Sequence, residues 1–286
     1  MVIITSTLSG PTLQSKARGT WDRLVGTQGG RFRGRVQTIQ KHAKSDSRHG
    51  TDELRLARAA RAFDCQLPTE RIAGAKAARS ALHRHLQKRT PVIMCVDSWG
   101  HWVTVVHRQG SNYVVVDSNK DPVLCIHPWA SLEKRWRYSL APSAPIYDLH
   151  PLLPQFRVHA RAELSLARVR HLCKSRNRPL SRNWSIYLED LLELCGYPAV
   201  SSSDRVPLAI ILRHQRKHIV ERVHYWHGGV SYDQIDRLLG DYLFVAETYS
   251  LTIGPQQVVR AMTDLAILTS LWATSRGGIA PMYGHG

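Results

Sequence analysis

The stretch HWVTVVHRQGSNYVVVDS, residues 101–118, decides the fold of the first half of the chain. Short runs rich in valine stand on either side of a Gly-containing turn around QGSN, a pattern typical of an antiparallel β-hairpin. Such a hairpin brings the start of one strand beside the end of the next, so we expect His101 and Asp117 to lie close together. The alternative is a histidine at a strand start and an aspartate in a turn, both solvated.

The flanking sequence extends this hairpin into a sheet covered by helices. PVIMCVD (91–97) predicts a buried strand, and DPVLCIHPW (121–129) predicts a further strand that its prolines keep short or at an edge. Apolar spacing predicts one helix over 11–25, a second that begins near Thr51 and a third over 74–88, with a brief helix at SLEKRW (131–136).

The proline-rich run APSAPIYDLHPLLP, residues 141–154, predicts a domain boundary. Helical periodicity dominates after it. We therefore expect an α+β protein with an N-terminal domain over 1–145 and a mainly helical domain over 150–286. The predicted helices of the second domain lie near 160–174, 183–196, 205–226, 231–250 and 255–275.

Composition narrows the class of protein. Hydrophobic residues make up 43% of the chain, enough for a packed core. The N-terminus MVIITSTLSG lacks a basic region and a long apolar run, and no window approaches 18 uninterrupted apolar residues, so we expect no signal peptide, no membrane span and a cytoplasmic location. The five cysteines are scattered without a CxxC pair. We therefore expect no disulfide framework, no metal site and no cofactor.

Residues 1–140 resemble the papain-like cysteine peptidases of the double-glycine (bacteriocin) leader peptidase family. The residues that carry the resemblance are the strand Pro91–Val96, the His-Trp-Val strand His101–Val106, the strand Tyr113–Asp117, and Trp129 and Trp136 beyond them. The resemblance implies a papain-like N-terminal domain in which His101 is the general base and Asp117 orients it. The chain departs from the family at Asp117-Ser118, where an Asp-Pro pair is usual.

The nucleophile of that family is a cysteine that precedes Gly-Pro and a helix. Here Ser9 stands before Gly10-Pro11, and Ile3 occupies the place of the family's oxyanion glutamine. A hydroxyl needs a well-aligned base because its own pKa is far too high for ionisation. Three interpretations remain open: a natural pseudopeptidase, a Cys-to-Ser form of a peptidase, and a serine-using hydrolase. The expected function is cleavage or binding of a peptide or protein substrate, without efficient hydrolysis while serine occupies position 9.

The formal charge of +17 supports a rival function. Such a field attracts nucleic acid or an acidic protein partner, which a non-catalytic adaptor would bind. The charge is uneven, because residues 1–90 hold 18 Lys and Arg against six Asp and Glu. The residues predicted to contact nucleic acid are Arg31, Arg33, Arg35, Arg170, Lys174 and Arg176.

Overall fold

The computed structural model describes residues 52–120, 122–139, 145–156, 162–196, 204–227 and 229–277. Ser9, the predicted helix over 11–25 and the RFRGR segment with Arg31, Arg33 and Arg35 lie outside the described residues. The described chain combines an antiparallel sheet with a helical C-terminal region, which confirms the predicted α+β class.

The strands are β1 (Cys65–Gln66), β2 (Glu70–Ala73), β3 (Val92–Val96), β4 (His101–Gln109), β5 (Asn112–Val116), β6 (Leu124–Pro128), β7 (Ile146–Pro151), β8 (Leu153–Pro154), β9 (Val206–Pro207) and β10 (Thr252–Ile253). The helices are α1 (Glu53–Arg61), α2 (Ala75–Gln87), α3 (Trp129–Trp136), α4 (Leu166–Leu172), α5 (Arg178–Cys195), α6 (Leu208–Trp226), α7 (Tyr232–Thr248) and α8 (Val258–Gly277).

Six strands form one antiparallel sheet in the order β2-β7-β3-β4-β5-β6. The predicted hairpin is its centre: β3, β4 and β5 pair in succession, with Val96 opposite His101 and Thr104 opposite Val116. The strand predicted over 121–129 is β6, and it lies at an edge, as its prolines required.

Both faces of the sheet are buried, which explains why β3 reads as a continuous apolar run. On one face, Met94 and Val103 pack beneath Leu82 of α2 and Trp136 of α3. On the other face, Ile93 and its neighbours pack against α1. Two helices on one side and one on the other therefore hold the central hairpin in place.

The run that predicts a boundary at 145–150 contains a strand of the sheet. Strand β7 lies within the proline-rich run and fills the position between β2 and β3. Its alternate side chains are polar, and both are buried: Asp148 binds Arg71, and His150 contacts Thr69. The sequence predicts a linker here because prolines flank polar residues. The residues that bind Asp148 and His150 are too distant in sequence for local patterns to reveal them. Spatial contacts instead divide the chain after Asn183, within α5.

The second unit, after Asn183, is mainly helical, as the sequence predicted. In it α6 packs against α7, and α8 packs against α6. The capping box at Ser231 and Gln234 begins α7, because each side chain accepts a hydrogen bond from the other's backbone N–H. The sequence did not predict the two-residue ladder of β9 and β10 that joins the start of α6 to the segment before α8.

Candidate functional site

The structure brings together His101 and Asp117. His101 is the first residue of β4, and Asp117 directly follows β5, so antiparallel pairing puts them at the same end of the sheet. Nε2 of His101 lies 2.7 Å from Oδ1 of Asp117. The imidazole is 6% exposed and the carboxylate 0%, so water does not compete strongly for this hydrogen bond.

The surroundings of Asp117 keep its carboxylate ionised. Burial raises the pKa of Asp117. Hydrogen bonds from His101, from the Asn119 backbone and from Arg135 lower the pKa by more than burial raises it, so the net pKa is well below the ordinary value. The Asn119 N–H donates to Oδ1 at 3.0 Å, and Nη1 of Arg135 donates to Oδ2 at 3.1 Å. An ionised carboxylate only accepts hydrogen bonds, so the hydrogen in the contact with His101 is on Nε2.

That arrangement fixes the chemistry of the second ring nitrogen. With hydrogen on Nε2, neutral His101 keeps the lone pair on Nδ1, which makes this atom the base. Nδ2 of Asn119 lies 3.4 Å from Nδ1, a long contact that a closer donor can displace. The pair is therefore built to take a proton at Nδ1 and to stabilise the resulting imidazolium through Asp117.

Arg135 of α3 connects this pair to the β3–β4 turn. Its Nε and Nη2 donate to the two carboxylate oxygens of Asp97 at 2.9 and 2.6 Å. The backbone is tied as well, since the Asp97 N–H donates to the Arg135 carbonyl at 2.7 Å. These hydrogen bonds hold the pKa of Asp97 below its usual range. The guanidinium of Arg135 thus orients both the Asp117 carboxylate that binds His101 and the β3–β4 turn that contains Asp97.

The turn itself has an unusual backbone. Asp97, Ser98 and Trp99 have φ angles of 55°, 57° and 63°, which places three successive residues with side chains in the left-handed region. Each such residue costs about 1–3 kcal/mol and persists only where the surroundings enforce it. Arg135 supplies one restraint. The Trp99 ring supplies another, because it stacks on Tyr138 with 4.1 Å between ring centroids.

The native cysteines do not provide a nucleophile in the described part of the chain. Burial raises the pKa of Cys65 to about 11 and that of Cys95 to about 12. Burial likewise raises the pKa of Cys125 and of Cys195 to about 11, and raises that of Cys173. A thiol held in its protonated form attacks poorly. The predicted nucleophile, Ser9, lies outside the described residues, so its position relative to His101 stays a prediction.

The predicted nucleic-acid contacts fall in two groups. Arg31, Arg33 and Arg35 lie outside the described residues. Arg170, Lys174 and Arg176 have exposed side chains on α4 and just beyond it. They are 69–75 residues from His101 in sequence and are not among its contacts.

The sequence did not single out Arg135, Asp97 or Asn119. Arg135 lies in a short amphipathic helix among other basic residues, a context that usually marks a solvated face. The turn residues Asp97 and Asn119 follow strand ends, where solvated polar residues are common. One feature of the sequence could have indicated the network: Asp97 and Asp117 directly follow β3 and β5, the two strands that pair with β4.

No family model, curated protein or solved structure shows significant similarity to this chain. Within the described ranges, none of the helices combines the length and the apolar character needed to cross a membrane.

Proposed function

We propose that the chain is a papain-like, cysteine-peptidase-like protein that binds a peptide at the end of the sheet where His101 and Asp117 meet. The buried hydrogen bond between Nε2 of His101 and Oδ1 of Asp117 carries this proposal. His101 is the general base through Nδ1, Asp117 orients it, and residue 9 occupies the place of the nucleophile. Arg135 is a positioning residue that holds Asp117.

Hydrolysis is not expected of the chain while serine occupies position 9. A serine hydroxyl must lose its proton during attack, whereas a cysteine can form a stable thiolate beside an imidazolium. Ile3 offers no hydrogen-bond donor for an oxyanion, and such donors contribute roughly 10²–10³ in rate. Peptide binding without turnover is therefore the expected behaviour of the protein as it stands.

The test is to restore a thiol at position 9 and measure its reactivity. In Ser9→Cys, the resemblance implies a thiol between a helix N-terminus and the imidazole of His101, and both would favour the thiolate, so the thiol pKa should fall below about 8.5. Alkylation by iodoacetamide in mildly acidic buffer should outpace that of the native cysteines, whose pKa values are all raised. Replacing His101 by alanine in this background should slow the reaction.

Ser6→Cys is the matched control, because it places a thiol three residues away in the same segment. It should react slowly and ignore the His101→Ala change. Mass spectrometry of labelled peptides gives each rate separately. Equal rates for the thiols at positions 6 and 9, or a rate at position 9 that is indifferent to His101, would rule out the proposed site.

A second candidate function is binding of nucleic acid or an acidic protein by the basic surface. The observation that favours it is the exposure of Arg170, Lys174 and Arg176 close together in the chain. If each neutralises one phosphate, replacing all three by glutamine should reduce the slope of log K against log salt by about 2–3. Absence of binding to DNA and RNA in a filter assay at about 50 mM salt would exclude the nucleic-acid form of this function.

A further inference from the structure

Positive side chains gather around the hydroxyl of Tyr113, at the hairpin end of β4 and β5. The Tyr113 ring is completely buried, and its hydroxyl lies 2.6 Å from Nε2 of His83. Nε of Arg79 donates to the same oxygen at 3.3 Å. Because the hydroxyl accepts from Arg79, its own hydrogen is available to His83. Two residues one turn apart on α2 thus meet on one buried oxygen.

A second guanidinium approaches from the sheet. Arg108 is the register partner of Tyr113 on β4, so it emerges beside the same ring. Burial, followed by the charges of Arg108 and Arg79, holds the pKa of His83 below its ordinary value. Arg79, His83 and Arg108 are all half-buried, so water screens their mutual repulsion only in part.

Neither arginine has an acidic partner within the part of the chain that the structure describes. Nε of Arg108 donates to the Gly110 carbonyl, and Arg79 lies over the Trp129 ring with 5.0 Å from its Cζ to the ring centroid. Arg71 and Arg135, in contrast, each bind a carboxylate through two or more hydrogen bonds. The terminal nitrogens of Arg79 and Arg108 retain donors for a ligand.

We propose that Arg79, His83 and Arg108 form a binding site for a phosphate group, either free or in the backbone of a nucleic-acid strand. Two guanidinium groups match the geometry of phosphate oxygens, and half-buried cations without carboxylate partners gain from an anion that accepts their hydrogen bonds. Trp129 and the Tyr113 hydroxyl fix the orientation of Arg79 in advance, which reduces the entropy lost on binding.

This site is separate from the one at His101. Both lie on β4, but His101 begins the strand and Arg108 is seven residues further along. At about 3.3 Å per residue, the two ends are roughly 23 Å apart. The phosphate site therefore does not depend on the proposed peptidase-like function, and it uses none of the residues of the exposed basic surface.

The experiment follows the pKa of His83 by NMR of protein labelled in its histidines, with His83→Gln to assign the signal. Inorganic phosphate should raise the pKa of His83 by about half a unit or more, since an adjacent anion stabilises the imidazolium. His85 is the internal control: it lies on the same helix, and its Nε2 is 2.8 Å from Oε1 of Glu70. Its NMR signal should respond little to phosphate.

Sodium chloride at matched ionic strength separates binding from screening, because salt also weakens the repulsion from the arginines. Arg79→Gln and Arg108→Gln should each abolish the part of the shift that exceeds the chloride effect. Arg84→Gln, an exposed arginine on α2, is the matched control and should leave the shift intact.

A second arm replaces phosphate by a short oligothymidylate at the same phosphate concentration. A response to inorganic phosphate alone supports a site for free phosphate, and a stronger response to the oligonucleotide supports a nucleic-acid strand. Two results would overturn the proposal: a His83 pKa that responds to neither ligand beyond the chloride control, or an Arg79→Gln protein that responds as fully as Arg84→Gln.

Discussion

Asp117 shows how a single residue can combine a structural and a chemical role. Its two carboxylate oxygens are held by three donors from different parts of the chain, and none of its side-chain surface is exposed. A carboxylate in this state must remain ionised to keep its partners. The folded protein therefore depends on the charge of Asp117 whether or not the site turns over a substrate.

We predict that Asp117→Asn destabilises the protein and changes its response to acid. The folded pKa of Asp117 lies below the unfolded value of about 3.9, so its stabilising contribution is complete above that pH and is lost as pH falls towards the folded pKa. The substitution should lower the free energy of unfolding at pH 7 by about 1–3 kcal/mol, because His101 and Arg135 lose a buried charged acceptor while Arg135 keeps Asp97 as a partner. Urea denaturation at pH 7 and at pH 3 measures both effects.

Glu163→Gln is the matched control for this prediction. Glu163 is half-exposed and forms only long ion pairs with Arg89 and Arg168, so its loss should change stability by less than about 1 kcal/mol. If Asp117→Asn proves as mild as this control at pH 7, the carboxylate does not hold the network that its hydrogen bonds indicate.

The meeting of His101 and Asp117 was predictable from the sequence, and the rest of their network was not. Strand pairing in a hairpin follows from the local hydrophobic pattern and the turn, so the sequence alone predicts which residues lie at the same end. Arg135 reaches Asp97 across 38 residues, and its helix has no periodic signal that distinguishes it from Lys134 or Arg137. Contacts of this kind depend on where α3 packs, which only the folded sheet determines.

Among the elements, α2 combines two roles on different sides of one helix: core packing and presentation of polar side chains. Ala78, Ala81 and Leu82 are completely buried against the sheet, while Arg79 and His83 emerge at its margin beside Tyr113. Packing of the first group therefore sets the positions of the second. The same helix anchors the core and presents two of the three residues of the proposed phosphate site, while β4 presents Arg108.

We predict that Leu82→Ala costs about 2–5 kcal/mol in the free energy of unfolding, through lost burial and the cavity left behind. Leu54→Ala is the control, since Leu54 on α1 is 69% exposed and its truncation should change stability by less than about 0.5 kcal/mol. Chemical denaturation of the two variants gives the difference. Similar costs for both would contradict the assignment of α2 to the core.

Strand β7 is the longest described strand that sequence periodicity missed. Its buried Tyr147 and Leu149 alternate with Asp148 and His150, a pattern that normally indicates a strand with one solvent-exposed face. Here both faces are covered, and the polar side chains find partners that are 77 and 81 residues away along the chain. The C-terminal helices were easier to predict, because their apolar spacing is local and α7 begins at a capping box.

Across the whole molecule, the two compact units should respond to pH in opposite directions. In the first, ionised Asp117 favours the folded state. In the second, burial raises the pKa of Asp241 to about 6, despite the nearby charges of Arg237 and Arg216. A raised carboxyl pKa means that ionisation opposes folding, so this unit gains stability as pH falls from about 6 towards the unfolded pKa of about 3.9.

We predict that Asp241→Asn stabilises the helical unit at pH 7.5 by up to about 2 kcal/mol and has little effect at pH 4, where Asp241 is already protonated. Thermal unfolding followed by circular dichroism at the two pH values measures the change. Asp233→Asn, at an exposed position at the start of α7, controls for loss of negative charge. A stability gain that is the same at both pH values would show that ionisation of Asp241 is not its cause.

The position of β7 between β2 and β3 has a consequence for the biosynthesis of the protein. A ribosome completes β3 at Val96 but does not reach the strand that pairs with its free edge until Ile146. At a translation rate of roughly 5–20 residues per second, the edge of β3 remains unpaired for about 3–10 seconds before β7 is synthesised. All five residues of β3 are apolar and end up buried, and an unpaired apolar edge is a template for association with other chains. While residues 97–146 are being made, the apolar edge of β3 is therefore open to association with other chains or to capture by a chaperone.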